Sequence, residues 1–380
     1  MLQIPRLREK MQVYDLDCLY IRSLSNLKWA TGFKGVFDTE DAHALCVTDF
    51  SAALHTDTRY ITAFLAAAEG SELVCDASSQ HHFNYLCELL YEEYGYNTGE
   101  VFDEEEPFVV KVGIETSLTL AEYRLIEQKA KEASFKIELI ELDGFVEELR
   151  EVKNSEELAA MMKAQEITDK AFSHICSFIA EGMTEKEVQL ELDRFMLDNG
   201  ADGLAFDTIV ATGAHGASPH AMPGNTVISA GDCVVMDFGA KYDGYCSDMT
   251  RCVFMGKPSE ELRNAWTLLR KVNETCALAI KEGVEAKQIH DLAETLLSEG
   301  GYAGAMGHSL GHSLGIDIHE SPGLSRKQTG NLVQGNVLTV EPGIYIPGKF
   351  GMRLEDFGVV TKNEFRVFTQ SSHDMVIISR

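Results

Sequence analysis

Two acidic residues sit where an isolated acid would be costly. In Cys233-Val-Val-Met-Asp237-Phe238 an apolar run ends on a carboxylate, and Asp248 lies beyond the dipeptide Asp243-Gly244. Asp-Gly between such runs is a strong short-range hairpin signal. With those two residues as the turn, Tyr242 pairs with Tyr245 and Asp237 falls opposite Thr250. Asp248 then becomes the diagonal neighbour of Asp237 on one face, within reach of a shared ion. A three-residue loop would send the carboxylates to opposite faces, and two acids that merely flank a turn account for this segment, taken alone, equally well. If they share a face, each raises the cost of ionising the other, so the pair calls for a cation or a shared proton.

The pattern recurs nearer the C-terminus. Glu341 closes the run Val337-Leu-Thr-Val340, a Pro347-Gly-Lys-Phe-Gly351 turn follows, and Glu355 comes after Met352-Arg353-Leu354. A five-residue loop centred on Gly348 sets Glu341 opposite Glu355, again an acid in apolar surroundings. Between the hairpins lie His308, His312 and His319, three of the chain's twelve histidines, and Ser218-Pro219-His220 adds a fourth upstream. A lone histidine is ordinarily a satisfied core or surface residue. Four of them near four strand-borne carboxylates point to metal. Four carboxylates and two divalent cations balance in charge, which leaves a bridging hydroxide as the natural nucleophile. Oxygen-rich ligation with one imidazole suits Mn²⁺, Fe²⁺, Co²⁺ or Zn²⁺ rather than a thiolate site. Two-metal centres of this kind perform hydrolysis.

These groups need a scaffold to hold them. A chain of 380 residues implies two domains or one large one, and 45% hydrophobic residues support a core that needs neither disulfides nor a structural metal. Nine scattered cysteines with no C-x-x-C read as reduced thiols in a cytoplasmic protein. Cys233, Cys246 and Cys252 lie near the acids and read as core packing. The 33 Lys+Arg against 60 Asp+Glu leave a net charge of −27, which repels phosphate backbones and anionic lipid. Nucleic-acid and membrane partners are therefore not expected. Charge interrupts the first ten residues, so no signal peptide is read, and no apolar run approaches the ~18 residues of a membrane span.

A boundary is expected near 150–155, giving domains 1–150 and 151–380. The first mixes strand-like runs (Cys18–Ile21, Ala44–Val47, Val109–Ile114) with helical ones (Phe83–Tyr91, Leu120–Ala133). Five acids in positions 100–106 read as a solvated loop. The second opens on Asn154-Ser-Glu-Glu157, an N-cap with Glu three residues on, before apolar residues at helical spacing up to a stop at Gly182. Thr184 opens another helix that Asn199-Gly200 closes, and two more are expected at 259–282 and 286–299. Strands with Gly/Pro turns fill 205–255 and 335–378. The class is α+β.

The ordered set Asp237, Asp248, His312, Glu341 and Glu355 resembles the five-ligand motifs of the creatinase/methionine-aminopeptidase superfamily, the pita-bread fold, in its proline-peptidase branch. The resemblance spans nearly the whole chain. Ser25–Phe33 and Leu54–Tyr60 are similar to the creatinase-type N-terminal domain, and Arg150-Glu-Val-Lys153-Asn-Ser-Glu-Glu157 to the entry into the catalytic domain. It implies that Asp237 chelates one metal, His312 and Glu341 the other, and that Asp248 and Glu355 bridge both. It implies two divalent ions, Mn²⁺ first, with Co²⁺, Fe²⁺ or Zn²⁺ as alternatives. His220 and His319 become substrate-side catalytic histidines, Glu341 the proton shuttle, and His308 and Arg353 further substrate-binding residues. It implies too a homodimer acting on proline-containing peptides, with the N-terminal domain mediating dimerisation and restricting entry to short peptides.

Two departures stand out. Ser313 replaces the glycine usual after the ligand histidine, and is expected only to tighten its loop. Gly323 stands where prolidases often carry an arginine suited to a dipeptide's carboxylate, with Arg326 three positions on. The function expected is therefore an aminopeptidase P-like exopeptidase releasing the N-terminal residue from Xaa-Pro peptides through a metal-bound hydroxide; the alternative is a prolidase acting on Xaa-Pro dipeptides. Less favoured is a serine hydrolase, since Gly311-His-Ser313-Leu-Gly315 and Gly307-His-Ser309-Leu-Gly311 both satisfy G-x-S-x-G, with Asp356 and His373 following. It lacks the strand before the elbow and enough chain after it. A metal-free binding module or amidinohydrolase on the same fold is disfavoured by the intact ligand set.

Overall fold

Helix caps set the framework of the second half. In the computed structural model, which describes residues 2–33, 35–97 and 109–379, Asn154 Oδ1 accepts from the backbone N–H groups of Glu156 and Glu157. Glu157 in turn accepts from Asn154 N–H at 2.7 Å, a complete capping box for the helix Ser155–Phe178. That helix ends at Phe178, four residues before Gly182, because the extended backbone of Ile179 breaks the spiral. Thr184 and Glu187 form a second capping box for Glu185–Asp198. Ser259 caps Glu260–Ala279, and Ala286–Glu299 follows. The acidic run 100–106 lies outside the described residues.

The chain separates into two compact units, Met1–Leu149 and Arg150–Arg380. The first is built on a six-stranded sheet in the order Leu73–Asp76, Ala52–His55, Ala44–Thr48, Cys18–Ile21, Val109–Glu115, Lys136–Leu142. The expected strands are there; Ala52–His55, Leu73–Asp76 and Lys136–Leu142 were not anticipated. Its helices include His82–Asn97 and Leu120–Glu132, and Phe83, Leu86, Leu90 and Ile126 pack on Val110, Val112 and Ile114.

The second unit mixes helices with short, mostly antiparallel sheets. One helix pair, Ser155–Phe178 and Glu185–Asp198, covers Cys233–Phe238 and Met249–Met255 through Ile167, Phe172, Leu192, Val234, Met236 and Val253. The other pair, Glu260–Ala279 and Ala286–Glu299, covers the C-terminal strands through Trp266, Leu269, Ile289, Val340, Ile344 and Met352. Each pair thus backs one acid-bearing hairpin. Among the described residues no helix is long and apolar enough to cross a membrane, and all nine cysteines are free.

Both hairpin registers are as the sequence requires. Tyr242 pairs with Tyr245 and Thr250 with Asp237. Asp243 and Gly244 have φ of 50° and 82°, the double positive φ of a two-residue turn that matches strand twist. In the second hairpin the pairing continues to Ile346 and Phe350, so the loop has three residues, 347–349, rather than five. The shortening is symmetric and stays centred on Gly348 (φ 74°), so the register is unchanged. Val340 pairs with Asp356 and Gly343 with Arg353, which brackets Glu341 and Glu355 as opposites.

Candidate metal centre

Strand geometry brings the acids together from two directions. Asp237 lies in Cys233–Phe238, and Asp248 just precedes Met249–Met255. Glu341 and Glu355 occupy the breaks where the C-terminal hairpin passes from Val337–Val340 and Asp356–Val360 into Gly343–Ile346 and Phe350–Arg353. Glu355 N–H donates to Thr250 O (3.1 Å) and Glu341 N–H to Leu310 O (2.8 Å), which ties each acid to a neighbouring segment. His312 stands in the two-stranded sheet Gly311–Ser313/Glu320–Leu324. Gly311 before it admits no side chain, because a Cβ there would lie 2.1 Å from Thr339 O.

One ligand atom each from Asp248, His312 and Glu355 lie within 4.8 Å of one another. His312 Nε2 is 3.5 Å from Asp248 Oδ2 and 3.4 Å from Glu341 Oε1, so Glu341 borders the same space. Asp237 Oδ2 accepts from Arg353 NH2, while Asp237 Oδ1 is buried without a hydrogen-bond partner. Arg353 also donates to Thr250 Oγ1 and the Tyr345 hydroxyl, both at 2.8 Å, and to Pro219 O at 3.4 Å. His312 and His319 rings meet edge-on with centroids 4.4 Å apart. His308 shares a 3.2 Å hydrogen bond with the Tyr345 hydroxyl. His220 and His319 are exposed. His220 is among the groups whose charge acts on both His308 and His319.

The electrostatics are those of a site short of positive charge. Burial, then repulsion from Glu355, Asp237 and Glu341, pushes Asp248 well above the usual carboxylate range. Burial and the charges of Glu341 and Asp237 do the same to Glu355, and burial raises Glu341. Burial lowers His308, His312 and His319, which keeps their imidazoles neutral and able to ligate or to donate one N–H. Buried acids that repel one another, a neutral imidazole among them and one orphaned carboxylate oxygen fit divalent cations.

That mismatch has a thermal consequence. Carboxylates raised in the folded state contribute stability that is complete below their unfolded pKa, about 4, and is lost as pH rises through the raised values. This site should therefore destabilise the metal-free protein at neutral pH, and added Mn²⁺ should restore stability by about 2.7 kcal/mol at a hundred times its Kd. Calorimetry at pH 7 with and without Mn²⁺ checks this, and identical melting temperatures would remove the centre's claim to bind metal.

Several residues of the site escaped the sequence reading. Thr250 donates to Glu355 Oε2 at 2.6 Å. Thr339 donates to Glu341 Oε1 (3.2 Å) and accepts from His312 N–H (3.0 Å). Each lies two residues from an acid on the same strand face, a period-two signal that was present. Tyr345 and Arg251, which donates from NH2 to Asp356 Oδ1 at 2.7 Å and from NH1 to Glu355 O, carried no local signal. Ser313 does more than tighten a loop: its hydroxyl accepts from Lys153 Nζ at 3.1 Å. That contact also disposes of the serine-hydrolase arrangement. His373 does pair with Asp356 (2.8 Å), but its other ring nitrogen faces Glu274 (3.2 Å) rather than a serine.

An α+β scaffold with a buried carboxylate–imidazole centre ringed by histidines defines a metal-dependent hydrolase. Residues 159–362 match the model of metallopeptidase family M24, and residues 3–152 that of the creatinase/prolidase N-terminal domain. The chain belongs to metallopeptidase family M24, with the pita-bread fold of its proline-peptidase branch, and is a metallo-exopeptidase. A Xaa-Pro dipeptidase of Pyrococcus horikoshii is 36% identical over 268 residues, 70% of this chain and 75% of that protein. The solved Xaa-Pro dipeptidase from Bacillus anthracis superposes with TM-score 0.87 at 34% identity over 98% of both chains. An X-Pro aminopeptidase from Thermotoga maritima gives 0.83 at 29% identity, covering 97% of this chain and 100% of that one. These relatives back the dipeptidase alternative better than the aminopeptidase P expectation.

Proposed function

We propose that the protein is a metal-dependent Xaa-Pro dipeptidase, a prolidase. The observation that carries the reading is the gathering of Asp248, His312 and Glu355 ligand atoms within 4.8 Å, in a chain similar to two Xaa-Pro dipeptidases. Asp237 would hold one ion and His312 with Glu341 the other, Asp248 and Glu355 serving both. Bound divalent ions supply Lewis acidity toward the scissile carbonyl and lower the pKa of the attacking water.

The chain's own groups do the rest. Glu341, a carboxylate at the edge of the site 3.4 Å from His312 Nε2, takes a proton from the attacking water and returns it to the proline nitrogen as the C–N bond breaks. That nitrogen carries no N–H of its own before cleavage, so a delivered proton is what turns it into a leaving amine. His319 and His220 donate N–H groups to the carbonyl oxygen as negative charge builds there. Arg353 is a positioning residue: it fixes Asp237, Thr250 and Tyr345 rather than facing substrate. Mn²⁺ is the first ion to test, and a homodimeric, cytoplasmic enzyme is the form to look for by sedimentation and cell fractionation.

One observation favours action on longer peptides. Gly323 leaves no cation directly after Pro322 in the strand Glu320–Leu324, and Arg326, three residues on, points its charge at Glu294 (3.4 Å). Release of alanine from Ala-Pro and from Ala-Pro-Xaa, in chelator and after Mn²⁺ is restored, decides. A higher kcat/KM for the dipeptide is expected. A preference for the tripeptide selects aminopeptidase P action, and cleavage of neither by metal-loaded protein rejects both readings.

A further inference from the structure

The segment that carries His220 leaves the strand Ile209–Thr212, makes a turn of 3₁₀ helix at Gly213–Ala217, and returns at Gly224. His220 sits exposed at its far end. A single carboxylate closes the base of this excursion. Glu185 Oε1 accepts from Thr212 N–H (2.9 Å) and from His215 Nδ1 (2.7 Å), and Glu185 Oε2 accepts from Gly224 N–H (3.2 Å). Glu185 is 0% exposed, and no lysine or arginine pairs with it among the described residues. A buried carboxyl group is costly unless its oxygens are hydrogen-bonded. Here they are bonded by the two ends and the middle of one loop. Backbone bonds from Glu185 N–H to Thr226 O (3.1 Å) and from Lys186 N–H to Gly224 O (3.0 Å) anchor the returning segment to the same helix start.

The loop is also seated on the acid-bearing C-terminal hairpin. Gly216 lies so close to Gly351 that a Cβ on Gly351 would fall 1.7 Å from Gly216 O. Pro219 O accepts from Arg353 NH1, the guanidinium that also holds Asp237. One side of the loop is therefore fixed to the acid-bearing strands and its base to Glu185, which leaves His220 little freedom of placement.

We infer that Glu185 is a positioning residue for the reaction, acting through His220 by clamping both ends of the loop 213–223. The inference rests on the role proposed for His220 and adds a residue to it. Gln in place of Glu185 keeps the shape and an acceptor for Thr212 N–H, but presents an N–H to Gly224 N–H and opens the clamp on that side.

A double-mutant cycle separates this role from a general structural one. Losing an N–H donor to the oxyanion costs about 10²–10³-fold in kcat, so H220A should fall in that range. E185Q should lower kcat by about tenfold to a hundredfold, the scale of a small misplacement, with KM little changed. E185Q/H220A should be no slower than H220A. Amide exchange in metal-free E185Q should quicken over 212–224 and nowhere else. An additive double mutant, or unchanged exchange in that segment, overturns the inference while leaving the function intact. An unaffected H220A overturns both the inference and the role of His220, whereas the exchange result still reports the clamp. Should E185Q not fold, H215A, which truncates a half-buried ring and keeps both backbone donors, runs the same cycle with a smaller first step and the same expected non-additivity.

Discussion

Asp248→Ala should abolish peptide hydrolysis, by about 10²–10³-fold or more, and lower bound metal while leaving a folded protein. Asp248 is buried with its ligand atom in the space shared by His312 and Glu355, so its loss removes a ligand from the centre of the site. The variant should nevertheless be at least as stable as the metal-free parent. Its carboxylate is raised by burial and by three neighbouring acids, which means that in the absence of metal it costs the folded state free energy at neutral pH. Loss of activity with intact metal content would make Asp248 something other than a ligand. Full activity would end the two-metal assignment. Activity, metal analysis and melting temperature measured on one preparation distinguish these outcomes.

Glu320→Ala should be the most destabilising single change at the back of the site, by about 3–5 kcal/mol. Glu320 accepts from Arg150 NH2 at 2.5 Å, Lys153 Nζ at 3.0 Å and Asp317 N–H at 3.1 Å. Lys153 and Arg150 are only 5% and 4% exposed. Burial works to raise Glu320, but Lys153 and Arg150 outweigh it and hold the carboxyl below its usual range. A depressed carboxylate contributes stability that is present above its unfolded pKa and lost as pH falls through the folded value, so the difference from the parent should shrink in acid. Removing Glu320 strands the Lys153 ammonium with the Ser313 hydroxyl in the interior. For a unit of this size the melting temperature should drop by about 6–20 °C. The double change K153M/E320L should recover most of it, because the penalty is an unpaired charge rather than lost packing. A loss below about 1 kcal/mol for E320A would mean that the network is solvated and contributes as little as a surface pair.

The same network shows where sequence reading stopped. His312 and His319 are flanked by Ser313 and Glu320, which are paired across the small sheet and joined by Lys153 from the far end of the unit. Their order in the chain carries no hint of that meeting, so Ser313 read as a minor substitution in a loop. Arg353, two residues before Glu355, read as a substrate-binding residue; that its guanidinium would be taken up by Asp237, Thr250 and Tyr345 was not legible. The loop around Gly348, two residues shorter than expected, left the acids in register because pairing added equally on both strands.

By itself, the sequence determined what is settled within a helix start or one hairpin: the caps at Asn154 and Thr184, the Asp243-Gly244 turn, and the pairing that sets Asp237 opposite Thr250 and Glu341 opposite Glu355. Those features follow from backbone hydrogen bonding between near neighbours and from side chains alternating with period two. Only the tertiary structure decided that Thr250 reaches Glu355, that Arg353 holds Asp237, and that Glu185 closes the loop of His220. Each of those contacts joins different elements, and which side chains meet there depends on how sheets and helices stack, a consequence of burying the whole core at once that no local pattern encodes.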